Sequence, residues 1–400
     1  MGGGRRLAKL DSFQERFQGE LQAELRELEA REQRRSLAEI HGTNLCSNDY
    51  LELSRHPALK EAVERAVRDA KHIGGTGSRL LSGHAAAWEQ LEEEFAEFAG
   101  TEAALYFGSG YLANLGLLTA LQKKDDLVFS DALNHASLID GMRLSGARKI
   151  IYPHRDLNTL EGGLRKHAHE RGRKLIVTES VFSMEGDIAP VTEIMKLAER
   201  YGAGVIVDEA HATGVQGPAG RGIAVRDGIA QQLAAAVHTC GKALASAGAF
   251  VCGSAALKEH LINHARTFIF STAMPPYMGE QIRGAVGLAR TMDRERAGLM
   301  AKARRLASGL RSGGWDTGRS ETQIVPLIIG KNEAALSAAE HLQLQGFAAR
   351  AVRPPTVPPG SARLRFSLTC GISDDELLRL ENSLSNWREK LPSSAAVARV

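Results

Sequence analysis

The sequence predicts an α/β fold with a mainly parallel central sheet, helices on both faces and a smaller α+β domain toward the C-terminal end. Two observations support this prediction. Between about residues 100 and 250, short apolar runs alternate with helical stretches, which is typical of parallel strands buried on both faces. The chain of 400 residues, 43% hydrophobic and 24% charged, has the composition and length of a globular protein with two or three domains.

The seven apolar runs of this region define the predicted strands of the sheet. They are Ala103–Phe107, Leu127–Phe129, Lys149–Tyr152, Lys174–Thr178, Val205–Val207, Ala235–Thr239 and Ala249–Cys252. Further predicted elements lie outside the sheet: helices at 57–72 and 86–99, a long helical connection at 276–313, a strand at Gln323–Ile328, a helix at 332–345, short strands near 348–352 and 363–368, and a helix at 374–390.

These elements suggest four segments. Residues 1–42 form a polar, charge-rich helical arm, and residues 43–280 form a large ligand-binding domain. Residues 281–392 form a small C-terminal domain, and residues 393–400 form a frayed tail. Charge alternates along the arm, which is typical of a solvated or surface-lying helix.

Charge and cysteine usage exclude several classes of protein. The chain has 50 Lys and Arg residues against 47 Asp and Glu, a net charge of +3, so no basic field for nucleic acid or an anionic membrane is expected. The four cysteines (Cys46, Cys240, Cys252 and Cys370) form no CxxC pair. They are expected to be reduced thiols of a cytoplasmic protein without a metal site. The sequence contains no run of about 20 apolar residues, so no membrane-spanning helix is predicted.

Glycine is in excess, with 41 residues against about 28 expected from average usage. Several glycines cluster where apolar runs end: at 74–77, at 108–110, at 214–222 and around Lys242. In an open α/β sheet the carboxyl ends of the strands form the ligand crevice. Gly108–Tyr111, which leads into a helix, is therefore either a phosphate cradle or an ordinary turn.

The familiar nucleotide-binding motifs are absent. Around Lys242, Ala236 and Ala243 replace the glycine and the Ser/Thr that a phosphate-binding P-loop requires. Asp208–His211 reads DEAH, as in a helicase box, but such a box needs a P-loop to hold its nucleotide. A metal site on Asp208 and His211 lacks a third ligand at suitable spacing.

A different chemistry accounts for these residues. Lys242 directly follows a buried strand, its neighbours are small, and Asp208 ends another strand about 30 residues earlier. An imine-forming lysine needs such a pocket, because desolvation lowers its pKa. Pyridoxal phosphate requires this lysine, a carboxylate for its ring nitrogen and a phosphate cradle. The residues thus favour a pyridoxal phosphate enzyme.

From residue 43 to about 390 the sequence resembles the α-oxoamine synthases, a group of fold-type I pyridoxal phosphate-dependent transferases. Seven motifs in the family's order support the resemblance: SNDYL (47–51), SRLLSG (78–83), NHAS (134–137), ESVFSMEGD (179–187), DEAHATG (208–214), TCGKALASAG (239–248) and FSTAMPP (270–276).

The resemblance implies roles for individual residues around the cofactor. Lys242 would form the imine, Asp208 would pair with the ring nitrogen, and His135 would stack on the ring. The remaining cofactor contacts would be His211 and Ser183 near the ring oxygen, the Gly110 and Tyr111 amides with Thr239 at the phosphate, and Thr272 at the phosphate of the neighbouring subunit in a homodimer. Several of these have ordinary alternatives, such as helix capping by Asp208 or Thr272 and a turn hydroxyl at Ser183.

The resemblance also implies a reaction. The segment from Arg353 to Arg365 most resembles family members of biotin synthesis that condense L-alanine with a pimeloyl thioester on CoA or acyl carrier protein. Arg353 would bind the substrate carboxylate and Asn48 would lie near the substrate. Other family members join glycine or serine to acetyl-, succinyl- or palmitoyl-CoA, and this alternative stays open. A scaffold without catalysis is disfavoured by intact Lys242 and Asp208.

Two departures from the family pattern concern cysteines. Cys240 stands where Phe is common before the Gly-Lys pair. Cys370-Gly371 replaces a more usual Ala-Ala, and the histidine that commonly follows is absent.

Overall fold

The computed structural model describes residues 4–389, with side chains from residue 13 onward. The predicted tail at 393–400 lies outside the described residues. Within this range the strands are β1 (Thr43–Asn44), β2 (Ala103–Phe107), β3 (Leu127–Asp131), β4 (Arg148–Tyr152), β5 (Lys174–Glu179), β6 (Gly204–Asp208), β7 (Ala235–Thr239), β8 (Ala249–Gly253), β9 (Ile324–Gly330), β10 (Phe347–Ala348), β11 (Ala351–Val352) and β12 (Ala362–Ser367).

The helices surround these strands. They are α1 (Gly4–Ala30), α2 (Pro57–Asp69), α3 (Ala86–Ala99), α4 (Gly110–Leu121), α5 (Ala136–Ser145), α6 (Leu157–Lys166), α7 (Val191–Tyr201), α8 (Ile223–Arg226), α9 (Ala255–His264), α10 (Arg266–Ile269), α11 (Tyr277–Arg290), α12 (Asp293–Ser312), α13 (Asn332–Leu344) and α14 (Asp374–Glu389). The predicted helical connection at 276–313 is divided into α11 and α12 at Thr291 and Met292.

The large sheet has seven strands in the order β2-β8-β7-β6-β5-β3-β4. The pairs β3–β4, β3–β5, β5–β6 and β6–β7 are parallel, whereas β8 runs antiparallel to both of its neighbours. The predicted mainly parallel sheet is confirmed. All five residues of β3, β7 and β8 are buried, because helices cover both faces of the sheet.

Local sequence explains where the helices next to the sheet begin and end. Ser109 is the N-cap of α4, and its hydroxyl accepts a hydrogen bond from the Leu112 amide at 3.1 Å, a contact that stabilises a helix by about 1 kcal/mol. Gly202 ends α7 in the left-handed conformation, at φ +62°. A residue with a side chain would be strained at that position. Ser109 thus fixes the turn from the end of β2 into α4, and Gly202 fixes the turn from α7 into β6.

A second, three-stranded antiparallel sheet, in the order β11-β12-β9, lies in the C-terminal part of the chain. The short strand β1 pairs in parallel with β10, so the residues just after the arm join the C-terminal elements. The loop after β1 contacts both regions, because the Tyr50 hydroxyl lies at hydrogen-bond distance from His211, after β6, and from Arg365 in β12. Within residues 4–389, no helix is long and apolar enough to cross a membrane.

Candidate active site

The carboxyl ends of the parallel strands and the start of α4 enclose a cavity of about 280 Å³. Ligands of open α/β sheets bind at this edge. Eight of the eleven predicted site residues line the cavity: Asn48, Gly110, Tyr111, His135, Asp208, His211, Thr239 and Lys242. The cavity is also lined by Ser109, Asn114, Ser137, Glu179, Ala210, Gly241 and Gly248.

Asp208 ends β6 and is 5% exposed. Asn114 Nδ2 donates to its Oδ2 at 2.7 Å, and the Ala210 amide donates to its Oδ1 at 2.9 Å. Hydrogen bonds to both oxygens hold the carboxylate in one orientation at the base of the cavity. A carboxylate fixed in this way can accept a further hydrogen bond from an N–H or O–H group of a ligand.

His135 is the N-cap of α5, with its ring at the cavity. The Ser137 amide donates to His135 Nδ1 at 3.2 Å, and the Ser137 hydroxyl lies 2.8 Å from the same nitrogen. Asn114 Nδ2 also donates to Ser137 Oγ at 2.9 Å. Asn114 and Ser137 therefore connect Asp208 to His135 through hydrogen bonds. Desolvation lowers the pKa of His135, which keeps the imidazole neutral with Nδ1 as an acceptor.

Lys242 follows β7, and its amine lies 3.0 Å from His211 Nε2. Desolvation lowers the pKa of Lys242 to about 8, against the opposing charge of Asp208. A lysine with this pKa has an appreciable fraction of free amine near neutral pH, which is the form that attacks carbonyl carbon.

His211 connects Lys242 to Tyr50 and Asn48. The Tyr50 hydroxyl lies 2.7 Å from His211 Nδ1 and donates to Asn48 Oδ1 at 3.1 Å. Burial lowers the pKa of His211 well below its usual value. An ammonium group can only donate, so Nε2 of the neutral ring accepts from Lys242 and Nδ1 carries the ring proton toward Tyr50.

The other end of the cavity is formed by the start of α4. A Cβ on Gly110 would lie 2.5 Å from Thr239 Cγ2, so only glycine allows the backbone to approach Thr239 this closely. The first amides of a helix lack partners within the helix and attract anions. Tyr111 is the second residue of α4, and its hydroxyl donates to Asp140.

These residues fit pyridoxal phosphate. The cavity combines a lysine of lowered pKa, a fixed buried carboxylate, a neutral imidazole ring and a glycine-lined helix start. Asn114 Oδ1 and Glu179 Oε1 are buried side-chain oxygens that have no hydrogen-bond partner within the described part of the chain. Buried polar atoms of this kind normally have a partner, and a polar ligand in the cavity would supply one.

Three predicted site residues do not line the cavity. Ser183 is 9% exposed, and its backbone carbonyl accepts a hydrogen bond from Arg365 Nε. Thr272 is exposed on the surface of the single chain, where it pairs with Ser78 in an isolated bridge. Arg353 donates to the backbone carbonyls of Glu32 and Arg34 in the arm. The roles assigned to these three residues stay predictions.

The sequence reasoning missed Arg365, which lies beside the cavity. Both of its terminal nitrogens donate to Asn48 Oδ1 at 3.2 Å, and Nη1 donates to Ser367 Oγ at 2.6 Å. Its positive charge is close enough to lower the pKa values of His211 and Lys242. Among the ion pairs of residues 13–389, none involves Arg365.

Asn114, Tyr50 and Glu179 were also missed as site residues. Tyr50 and Glu179 lie inside the motifs SNDYL and ESVFSMEGD, so position at the end of a strand could have identified Glu179. Asn114 is an interior residue of α4. No local pattern distinguishes it from other helical positions.

Comparisons with known proteins agree with this geometry. The family model "Aminotransferase class I and II" matches residues 40–384. The 8-amino-7-oxononanoate synthase of Geobacter sulfurreducens is 45% identical over 349 residues, covering 87% of this chain and 89% of the relative.

Two solved structures show the same architecture. A serine palmitoyltransferase from S. paucimobilis, solved with PLP and myriocin bound, has a TM-score of 0.83 at 29% identity and covers 87% of each chain. The 8-amino-7-oxononanoate synthase of Francisella tularensis has a TM-score of 0.75 at 28% identity and covers 86% of this chain and 97% of that one. The chain therefore belongs to the aminotransferase class I and II family, within its α-oxoamine synthase group.

Proposed function

We propose that the protein uses pyridoxal phosphate to condense L-alanine with a pimeloyl thioester, giving 8-amino-7-oxononanoate, CO2 and the free thiol. In this reaction a bond forms between the alanine α-carbon and the thioester carbonyl carbon. The C–S bond and the bond from the α-carbon to the carboxyl group break. The observation that carries the proposal is the pairing of a lysine of lowered pKa with a fixed carboxylate in one cavity, Lys242 with Asp208.

The cofactor would be held at both ends of the cavity. Bound pyridoxal phosphate supplies an aldehyde for imine formation and a protonated ring that accepts electrons from the substrate α-carbon. Asp208 would accept a hydrogen bond from the ring nitrogen, and the amides at the start of α4 would bind the phosphate. His135 would stack against the ring, and its neutral state avoids repulsion with a protonated ring nitrogen.

Lys242 would act as the base that removes the α-proton of alanine. Its pKa of about 8 lies near neutral pH. A general base with such a pKa is partly unprotonated and still binds a proton strongly. Lys242 Nζ lies 3.0 Å from His211 Nε2, and this contact holds the amine at the side of the cavity. From there Nζ would accept the α-proton of alanine.

Arg365 is a stronger candidate for the substrate carboxylate than Arg353. It contacts Asn48, which lines the cavity, and it has no carboxylate partner among the described ion pairs. A guanidinium binds a carboxylate through two parallel hydrogen bonds. The carboxylate of alanine would be held between Arg365 and Asn48, which orients the α-carbon toward Lys242.

The active form would be a cytoplasmic homodimer. Thr272 is exposed in the single chain, and the neighbouring Phe270 and Leu81 are 70% and 84% exposed. A partner subunit would cover these residues, and its cofactor phosphate would contact Thr272. Sedimentation of the purified enzyme should show a dimer, and an active monomer would contradict this part of the proposal.

The substrate assignment is tested by measuring thiol release with a panel of amino acids and acyl thioesters. We expect the highest kcat/KM with L-alanine and a pimeloyl thioester. The highest turnover with glycine or serine and another acyl-CoA would overturn this assignment in favour of a different α-oxoamine synthase activity. Pimeloyl-CoA and pimeloyl carrier protein, assayed side by side, distinguish the two acyl donors.

A further inference from the structure

Glu179 is the last residue of β5 and lies directly beside Asp208, the last residue of the adjacent parallel strand β6. Its side chain is 3% exposed and lines the cavity. The site as proposed uses Asp208 and leaves Glu179 without a role. Two carboxyl groups on neighbouring strand ends in a closed site repel each other unless one of them holds a proton.

The hydrogen bonds of Glu179 are incomplete. The backbone amide of His135 is close enough to the Glu179 carboxyl group to lower its pKa, whereas Glu179 Oε1 has no hydrogen-bond partner among the described residues. A buried polar oxygen without a partner is unfavourable, so its position at the cavity wall indicates a contact with whatever the cavity binds.

The charges around Glu179 favour its protonated form. The neighbouring groups that affect its pKa are Asp208 from β6, Lys242 after β7, the His135 backbone before α5, and Glu185 from the segment after β5. Burial is the main effect and raises the pKa of Glu179 well above its usual value, with Asp208 adding to it and Lys242 opposing it. Because Asp208 already accepts two hydrogen bonds as a carboxylate, the proton belongs on Glu179.

We propose that Glu179 is a further cofactor-contacting residue, which as a neutral carboxylic acid donates a hydrogen bond from its unpartnered oxygen to an acceptor oxygen of bound pyridoxal phosphate. This inference rests on the proposed function. The two carboxyl groups would then have different roles. Asp208 would carry the negative charge that faces the ring nitrogen, and Glu179 would supply a hydrogen-bond donor without adding a second negative charge.

The proposal separates two otherwise similar substitutions. Gln has the size of Glu, is neutral and has an N–H donor, so it reproduces the protonated acid. Ala removes the donor. Asp208→Asn is the matched control, because the same change from carboxylate to amide on the next strand removes a charge that the site needs.

The first measurement is the dissociation constant of pyridoxal phosphate, obtained from the absorbance or fluorescence change on titrating the cofactor-free protein. Glu179→Gln should stay within about 3-fold of wild type, whereas Glu179→Ala should bind about 10-fold more weakly, as expected for one lost hydrogen bond. Asp208→Asn should weaken binding by at least about 10-fold. Equal losses in Glu179→Gln and Glu179→Ala would overturn the proposal.

The second measurement is the thermal unfolding midpoint of the cofactor-free wild type and Glu179→Gln between pH 5 and 8. A carboxyl group whose pKa is raised in the folded state lowers stability as pH rises above its unfolded value of about 4.3. The midpoint of Glu179→Gln should therefore rise relative to wild type as pH increases. A difference in midpoint between the two proteins that does not change with pH would overturn the proposal that Glu179 is protonated.

These measurements keep the two proposals distinguishable. A wild-type protein without affinity for pyridoxal phosphate would overturn the proposed function and this hydrogen bond together. Loss of affinity in Glu179→Gln alone would overturn only the role of Glu179.

Discussion

The edge of the large sheet that would hold the cofactor and the C-terminal strands that would hold the substrate differ in how their side chains are positioned. Asp208 is the last residue of the buried strand β6 and Lys242 follows the end of β7 by three residues, so their places follow from the backbone. Arg353 and Arg365 have long side chains on the C-terminal segment, and one reaches the arm while the other reaches Asn48. Backbone-determined sites can be located from motifs, whereas the reach of a long side chain depends on its neighbours.

The largest effect is expected at the cofactor edge. Lys242→Ala should abolish the absorbance band at about 410–430 nm that a lysine–pyridoxal imine gives, and should lower kcat by at least about 10³-fold through loss of the base. Absorbance spectra and thiol release measure the two effects. Lys124→Ala, at an exposed position, is the control. A retained band in Lys242→Ala would contradict the assigned site.

A comparison of the two arginines tests the substrate side directly. Arg365→Ala should raise KM for alanine by roughly 10- to 100-fold, since a charge-assisted contact with the carboxylate is lost. Arg353→Ala should change KM by less than about 3-fold, because Arg353 binds backbone carbonyls of the arm. Initial rates over a range of alanine concentrations provide both values. A larger increase of KM in Arg353→Ala than in Arg365→Ala would assign binding of the alanine carboxylate to Arg353.

A smaller effect is expected from crowding the phosphate end. Gly110→Ala would place a methyl group 2.5 Å from Thr239 Cγ2 and force a shift that typically costs about 1–3 kcal/mol. We expect pyridoxal phosphate to bind about 10-fold more weakly in a direct titration. In Gly298→Ala, within α12, the added methyl meets no atom within 4 Å, so it should leave affinity unchanged. Equal affinities in wild type and Gly110→Ala would refute the cradle.

The smallest effect concerns a charge network outside the cavity. His154 bridges Asp131 and Asp187 at 3.0 Å each, and their carboxylates outweigh burial and raise its pKa to about 9. Its stabilising effect is therefore full below the unfolded pKa of about 6.5 and is lost as pH rises through about 9.

His154→Gln should accordingly lower the thermal midpoint by roughly 2 °C at pH 6, and the difference from wild type should vanish by about pH 10. Thermal unfolding of the cofactor-free protein over this pH range measures it. A constant difference would mean that packing of His154 on Phe182, rather than its charge, stabilises this region.

Predictability follows the same division between the two regions. The seven strands of the large sheet were predicted because each contains a short apolar run, and eight of the predicted site residues line one cavity, most of them close to the end of a strand or the start of a helix. The antiparallel direction of β8 was not predicted, since an apolar run does not encode strand direction. The pairing of β1 with β10 joins residues about 300 positions apart, which no local pattern records.

The sequence by itself determined the α/β class and the α-oxoamine synthase family, and it predicted that Lys242 and Asp208 share one cavity, because strand ends converge at one edge of a parallel sheet. Only the tertiary structure decided that Arg365 lies beside the cavity, and that Glu179 lies next to Asp208 with one oxygen that has no partner among the described residues. The physical reason is that strand order and side-chain reach depend on contacts between residues distant in sequence. The charge of a buried group likewise depends on the neighbours that those contacts bring to it.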